Sequence, residues 1–123
     1  MTDIELSELR SRVGEDGLVL LDVRGPHEFS GAIVAPCDPR GGHIPGAANV
    51  DVSTLAQADL ETVRTLVEAP AGTEVVAYCH SGSRSALAVQ VLLAAGYDAR
   101  NYVGSWHEWS RDPTLPAETG WPH

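Results

Sequence analysis

The 123-residue chain contains no lysine. All eight basic residues are arginine, against 17 acidic ones, and the formal net charge is −9. A phosphate backbone is held by a basic face, so this balance argues against nucleic acid as a partner. Any cationic wall around an anionic ligand must be built from arginine or protonated histidine, and the planar guanidinium suits oxyanions. No apolar run approaches the roughly 20 residues of a membrane span, so no membrane partner is expected. The opening MTDIELSELR has neither a basic segment nor a long apolar one, so a secretory signal is not expected and a cytoplasmic location is the default. The two cysteines, Cys37 and Cys79, form no CxxC pair. A zinc ribbon or thioredoxin-like site is therefore not supported, and free thiols in a reducing compartment fit better. Nothing in the pattern asks for a metal or another cofactor.

There is no internal repeat and no linker, so residues 1–123 read as one domain, long enough for a real core. A helix is expected within residues 3–14, with Ser7 as a capping residue and Leu6, Leu9 and Val13 on one face. LVLLDV, 18–23, is a strand-length apolar run of the kind buried in a parallel sheet. Asp22 and Arg24 end it, where ligands gather in open α/β sheets, as a structural ion pair or as part of a site. Asp22 holding Arg84 in orientation is one form the latter could take. Glu28-Phe29 falls on a short helical turn, and SGAIVAPCDPRGG, 30–42, reads as a loop. After the tight turn at Ile44-Pro45-Gly46, Ala47 to Val52 can supply a strand. Ser53 or Thr54 can cap a single helix running to about Ala69, with Leu60, Val63, Leu66 and Val67 inward. Asp98 to Val103 reads as the last strand. Trp106 and His107, beyond its end, are placed at a mouth, and Trp109 in the packing. The tail RDPTLPAETGWPH, 111–123, is Pro-rich and without period, extended along the surface or partly disordered. Alternating strands and helices imply an α/β fold, a parallel sheet with helices on both faces.

The chemistry concentrates in VVAYCHSGSRSALAVQVLLAAG, 75–96. A buried strand, Val75 to Tyr78, is followed by Cys79-His80-Ser81-Gly82-Ser83-Arg84 and then by a nearly apolar helix that Gly96 stops. Such a turn directs backbone N–H groups inward, and the helix N-terminus adds partial positive charge. An anion is favoured there, and the Cys79 thiolate is the nearest candidate. Arg84 at the same helix start opposes the dipole unless an anion or a carboxylate offsets it. Its expected roles are to lower the Cys79 pKa and to bind a ligand anion, the alternative being an ion pair with Asp22. His80 is either a source of positive charge or a solvated loop residue.

LLDVR at 20–24, EF at 28–29, GHIPGAANV at 42–50, YCHSGSRS at 78–85 and GSWHEW at 104–109 resemble, in order, the motifs of the rhodanese family, over nearly the whole chain. The resemblance implies a rhodanese fold of about five strands and sulfane-sulfur transfer through a persulfide on Cys79. A donor such as thiosulfate or 3-mercaptopyruvate would be attacked at its outer sulfur. The persulfide would be held by N–H groups of the His80–Arg84 loop, and cyanide, a thiol or another sulfur-relay protein would accept the sulfur. Arg84, with Arg40, would bind the donor anion, while Arg24, His43 and Trp106 would line the surroundings. The long 30–42 connection is similar to that of the two-domain sulfurtransferases, although those often carry Arg where this chain has Glu28. The main rival is a cysteine phosphatase or arsenate reductase, whose C-x5-R loop is sized for a tetrahedral oxyanion. Here Cys79 to Arg84 is C-x4-R, one residue shorter and suited to one sulfur atom. A non-catalytic sulfur-carrier or binding module is the other alternative, though such domains commonly lack the cysteine. Cys37 reads as a solvent-facing thiol, or as a second thiol able to take sulfur from Cys79 or pair with it.

Overall fold

In a computed structural model, which describes residues 3–120, five parallel strands form one sheet in the order β1-β5-β4-β2-β3. They are β1 (Asp3–Ile4), β2 (Leu18–Asp22), β3 (Ala48–Asn49), β4 (Glu74–Tyr78) and β5 (Asp98–Tyr102). The helices are α1 (Leu6–Arg12), α2 (Pro26–Ser30), α3 (Val52–Gln57), α4 (Leu60–Val67), α5 (Ser83–Ala94) and α6 (Ser105–Trp109). The central strand β4 lies between β2 and β5, in register from Glu74 opposite Leu18 and Asp98.

Side-chain alternation along β4 divides the core in two. Val75 and Ala77 face a layer of α3, α4 and α5 residues: Leu55, Val63, Val67, Ala88, Val89 and Leu92. Val76 and Tyr78 face the opposite layer, with Leu9, Phe29, Ile44, Trp106, Trp109 and Leu115. Both faces of the sheet are covered, which is why β2 and β4 read as unbroken apolar runs. Full burial of each large side chain contributes on the order of 1.5–3 kcal/mol. Cys79 continues the alternation and falls on the α5 side, fully buried at 1% exposure.

Several local expectations are corrected. Helix α1 takes Glu5 as its N-cap with no side-chain cap, leaving Ser7 inside the helix. The single helix expected to run to about Ala69 is two, α3 and α4. Asp51 and Asp59 cap them by accepting from the N–H groups of Ser53 and Thr62. Asp59 supplies a second start signal within the run, so the chain breaks at Ala58 and Leu60 turns outward, 46% exposed. The strand expected over residues 47–52 pairs only at Ala48–Asn49. Over its described residues, 111–120, the tail packs against the domain. Leu115 is buried, and His43 and Glu118 exchange backbone hydrogen bonds of 2.8 and 2.9 Å. Its last residues, 121–123, lie outside those described. Among the described residues, no helix is long and apolar enough to cross a membrane.

Candidate active site

Cys79 is the first residue beyond β4, and Gly82 is the N-cap of α5. Gly82 has φ +98, in the left-handed region, and a Cβ there would stand 2.7 Å from the Val103 carbonyl oxygen. Only glycine fits both demands. The bend brings the Gly82 N–H to 3.0 Å from Cys79 Sγ, and the Ser85 hydroxyl donates from the first turn of α5 at 3.4 Å. Burial pushes the Cys79 thiol up. Hydrogen bonds from the Ser85 hydroxyl and from the N–H groups of Ser85, Gly82 and Ser81 outweigh that, and its pKa lies below the ordinary thiol value. The loop thus does to sulfur what an oxyanion hole does to oxygen.

Four hydrogen bonds fix the loop from outside. Asn101 on β5 donates to the Gly82 carbonyl at 3.2 Å. The Cys79 N–H donates to Ser105 Oγ at 3.0 Å. The backbone N–H groups of Trp106 and His107 donate to the carbonyls of Cys79 and His80, each at 2.9 Å. Ser105 has one hydroxyl proton, given to the Tyr102 carbonyl at 2.8 Å, so its 3.9 Å approach to Sγ is packing. Ser85, Asn101 and Ser105 are the residues that sequence reasoning missed. Ser85 lies one position past the loop it considered, and the other two are distant in sequence.

Arg84 lies at the α5 N-terminus, but its partner is neither the thiol nor Asp22. It donates to both carboxylate oxygens of Glu28, at 2.8 and 3.1 Å. That pairing, more than the Cys79 charge, raises the guanidinium pKa and holds Glu28 below the usual carboxylate value. The cation-at-helix-start conflict is thus resolved by α2. Asp22 instead takes Arg24 in a fully buried pair, with Nε and Nη2 3.0 and 2.7 Å from the two carboxylate oxygens. Arg24 also donates to the Gly42 carbonyl at 2.6 Å and lies over the Tyr78 and Trp106 rings. This pair ties β2 to the 30–42 connection.

The remaining mouth residues are engaged in structure. Arg40 donates to the carbonyls of Trp109, Ser110 and Asp112 at the end of α6, rather than pointing its fork into the loop. His43 stacks on Phe29 at 3.7 Å and donates from Nδ1 to the Phe29 carbonyl at 2.7 Å. Trp106 is buried like Trp109, with its Nε1–H given to the Arg40 carbonyl. His80 is no solvated residue: Nε2 lies 3.0 Å from both carboxylate oxygens of Asp38. Cys37 is an exposed free thiol, 4.0 Å from the same nitrogen. Ser81 and Ser83 have exposed side chains.

The Rhodanese-like domain family matches residues 5–112. The thiosulfate sulfurtransferase of Corynebacterium glutamicum is 39% identical over 127 residues, covering 91% of this chain and 42% of its own. The probable 3-mercaptopyruvate sulfurtransferase of Pseudomonas aeruginosa is 37% identical, covering 95% of this chain and 44% of its own. A crystal structure of a probable thiosulfate sulfurtransferase superposes with a TM-score of 0.80 at 41% identity, covering 95% of this chain and 47% of that one. The chain spans less than half the length of these relatives. With its five-stranded parallel sheet, its motif order and these likenesses, the chain belongs to the rhodanese-like domain family of the thiosulfate/3-mercaptopyruvate sulfurtransferase superfamily.

Proposed function

We propose that this domain is a sulfurtransferase that carries sulfane sulfur as a persulfide on Cys79. The observation that carries this reading is the donor set around one sulfur: Gly82 N–H at 3.0 Å and Ser85 hydroxyl at 3.4 Å, with the thiol pKa depressed despite burial. The thiolate is the nucleophilic form. It attacks the outer sulfur of thiosulfate or 3-mercaptopyruvate, and sulfite or the pyruvate enolate leaves with the bonding electron pair. The terminal sulfur, now an anion, takes up the N–H groups of the His80–Arg84 loop. A thiol or cyanide then attacks it and restores the Cys79 thiolate. Sulfur is conserved at each step, and no external oxidant is needed.

Donor preference follows from the Arg84–Glu28 pair. The guanidinium that would meet the donor's anionic end is already neutralised by a carboxylate, so binding must displace or share Glu28. A weak demand for a doubly charged donor is therefore part of the proposal. Incubation with thiosulfate should add about 32 Da to the intact protein, one sulfur atom, removed by a thiol reductant. Cys79→Ser should stay unmodified and inactive while folded. Equal sulfur transfer by that variant, or efficient hydrolysis of aryl phosphates by the unmodified protein, overturns the assignment.

A further inference from the structure

Four side chains with metal-binding atoms converge outside the Cys79 loop. Cys37, Asp38, His80 and His107 each offer one ligand atom, and these atoms all lie within 4.8 Å of one another. We propose that this cluster is a site for a single zinc-class divalent cation, bound by Cys37 Sγ, an Asp38 oxygen, His80 Nε2 and His107 Nδ1. It is independent of sulfur transfer and does not rest on that reading.

The donor set is the mixed thiolate, imidazole and carboxylate set that borderline-soft Zn²⁺ takes in tetrahedral sites. With metal–ligand bonds of about 2.0–2.3 Å, tetrahedral ligand atoms stand roughly 3.3–3.7 Å apart. The observed separations bracket that: His80 Nε2 to Asp38 Oδ1 3.0 Å, Cys37 Sγ to Asp38 Oδ1 3.8 Å, Asp38 Oδ1 to His107 Nδ1 3.9 Å, Cys37 Sγ to His80 Nε2 4.0 Å. Thiolate plus carboxylate match the charge of a dication.

The backbone holds the four in place. The His107 N–H donates to the His80 carbonyl at 2.9 Å, so the loop and α6 cannot separate without breaking that bond. The two imidazoles meet edge to face, centroids 5.4 Å apart. On the other side, the Asp38 N–H donates to the Ala35 carbonyl, and Arg111 holds the Cys37 carbonyl at 2.6 Å. The Asp38 side chain is only 3% exposed, an unusual setting for a carboxylate on a long loop, and it faces His80, His107 and Arg111. Arg111 reaches Asp38 at 3.5 Å, the weakest of its contacts here. A metal displacing it leaves its bonds to the Cys37 and His107 carbonyls intact.

Binding breaks the Cys37 S–H bond and moves the His80 proton from Nε2, where it faces Asp38, to Nδ1; the thiol proton goes to solvent, and a metal–sulfur bond forms without change of oxidation state. It would pin the 30–42 connection to the residue that follows the nucleophile.

The test is titration of the reduced, metal-free protein with Co²⁺, followed by Zn²⁺ competition, in the wild type and in Cys37→Ser, His107→Ala and Cys79→Ser. The wild type should take one equivalent, with tetrahedral cobalt bands and a thiolate-to-cobalt charge-transfer band that Zn²⁺ abolishes. Cys37→Ser should lose the charge-transfer band, and both it and His107→Ala should bind about 100-fold more weakly or worse. Cys79→Ser should match the wild type. Zn²⁺ should raise the melting temperature of the wild type and not of Cys37→Ser. Cys37 and His107 are exposed, so metal-free melts should coincide and exclude misfolding as the cause. Failure of the wild type to take up one equivalent overturns the proposal. So does a charge-transfer band that survives Cys37→Ser and disappears in Cys79→Ser.

Discussion

Replacing Ser85 with alanine should slow the reaction of Cys79 with an alkylating agent without unfolding the protein. The Ser85 hydroxyl is fully buried, and its contact with Cys79 Sγ is 3.4 Å long. A hydrogen bond to a charged group contributes roughly 1.5–3 kcal/mol, and a long contact to sulfur belongs at the low end. About 1.5 kcal/mol corresponds to roughly a tenfold change in the thiolate-to-thiol ratio. The backbone donors from Ser81, Gly82 and Ser85 remain, so the thiolate is weakened and not abolished. Removing one buried oxygen leaves a small void and no orphaned donor, so stability should change by less than about 1 kcal/mol. The assay is the iodoacetamide rate as a function of pH, measured on a Cys37→Ser background so that only Cys79 reports. Below the wild-type midpoint the variant should react about ten times more slowly. At high pH, where both thiols are ionised, the rates should converge. The Ser81 side chain points to solvent and contributes only its N–H, so Ser81→Ala should leave the profile in place. A Ser85→Ala profile that superimposes on the wild type would refute the argument that this hydroxyl sets the thiol's ionisation.

Gly82→Ala should destabilise the protein by at least about 2 kcal/mol in urea unfolding, because φ +98 is strained for alanine and its Cβ meets the Val103 carbonyl at 2.7 Å. Arg24→Ala should cost on the order of 3–5 kcal/mol, since it strands the buried Asp22 carboxylate. Arg84→Ala should cost less than about 1 kcal/mol, because its pair with Glu28 is more than a third exposed on the arginine side and screened by water. Equal losses in the two arginine variants would contradict this ranking. Glu28, Glu74 and Glu8 are held below the ordinary carboxylate value of 4.5, chiefly by hydrogen bonds from Arg84, Arg12 and Arg100. The unfolded chain therefore binds more protons in that range. The stability they contribute is complete above it and is lost as pH falls through their lower folded values, so melting temperature should drop on acidification below about pH 4.5.

Much of this molecule is determined locally. The apolar runs of β2 and β4 needed cover on both faces, and that requirement alone called for a parallel sheet between helix layers. The turn from Cys79 to Arg84 was legible because a glycine between a strand and a helix has few uses, and one is to curl N–H groups around an anion. The helix break at Ala58 was legible in principle, since Asp51 and Asp59 are both capping residues, but serine and threonine in the same window offered competing caps.

Partner choice among charges was decided only in three dimensions. Asp22 stands two residues from Arg24, yet nothing in the sequence told whether Asp22 or Glu28 would meet Arg84. The answer depends on how α2 lies across the start of α5. Arg40, His43 and Trp106 stand near the right motifs, and their polar atoms go to backbone carbonyls that only tertiary contact supplies. The Cys37, Asp38, His80 and His107 cluster joins positions up to 70 residues apart with no ligand spacing to announce it. A sequence fixes the hydrophobic period and the backbone freedom of each residue, because these are properties of neighbours along the chain. It does not fix which arginine reaches which carboxylate, because a flexible charged side chain takes the partner that packing brings within about 3 Å.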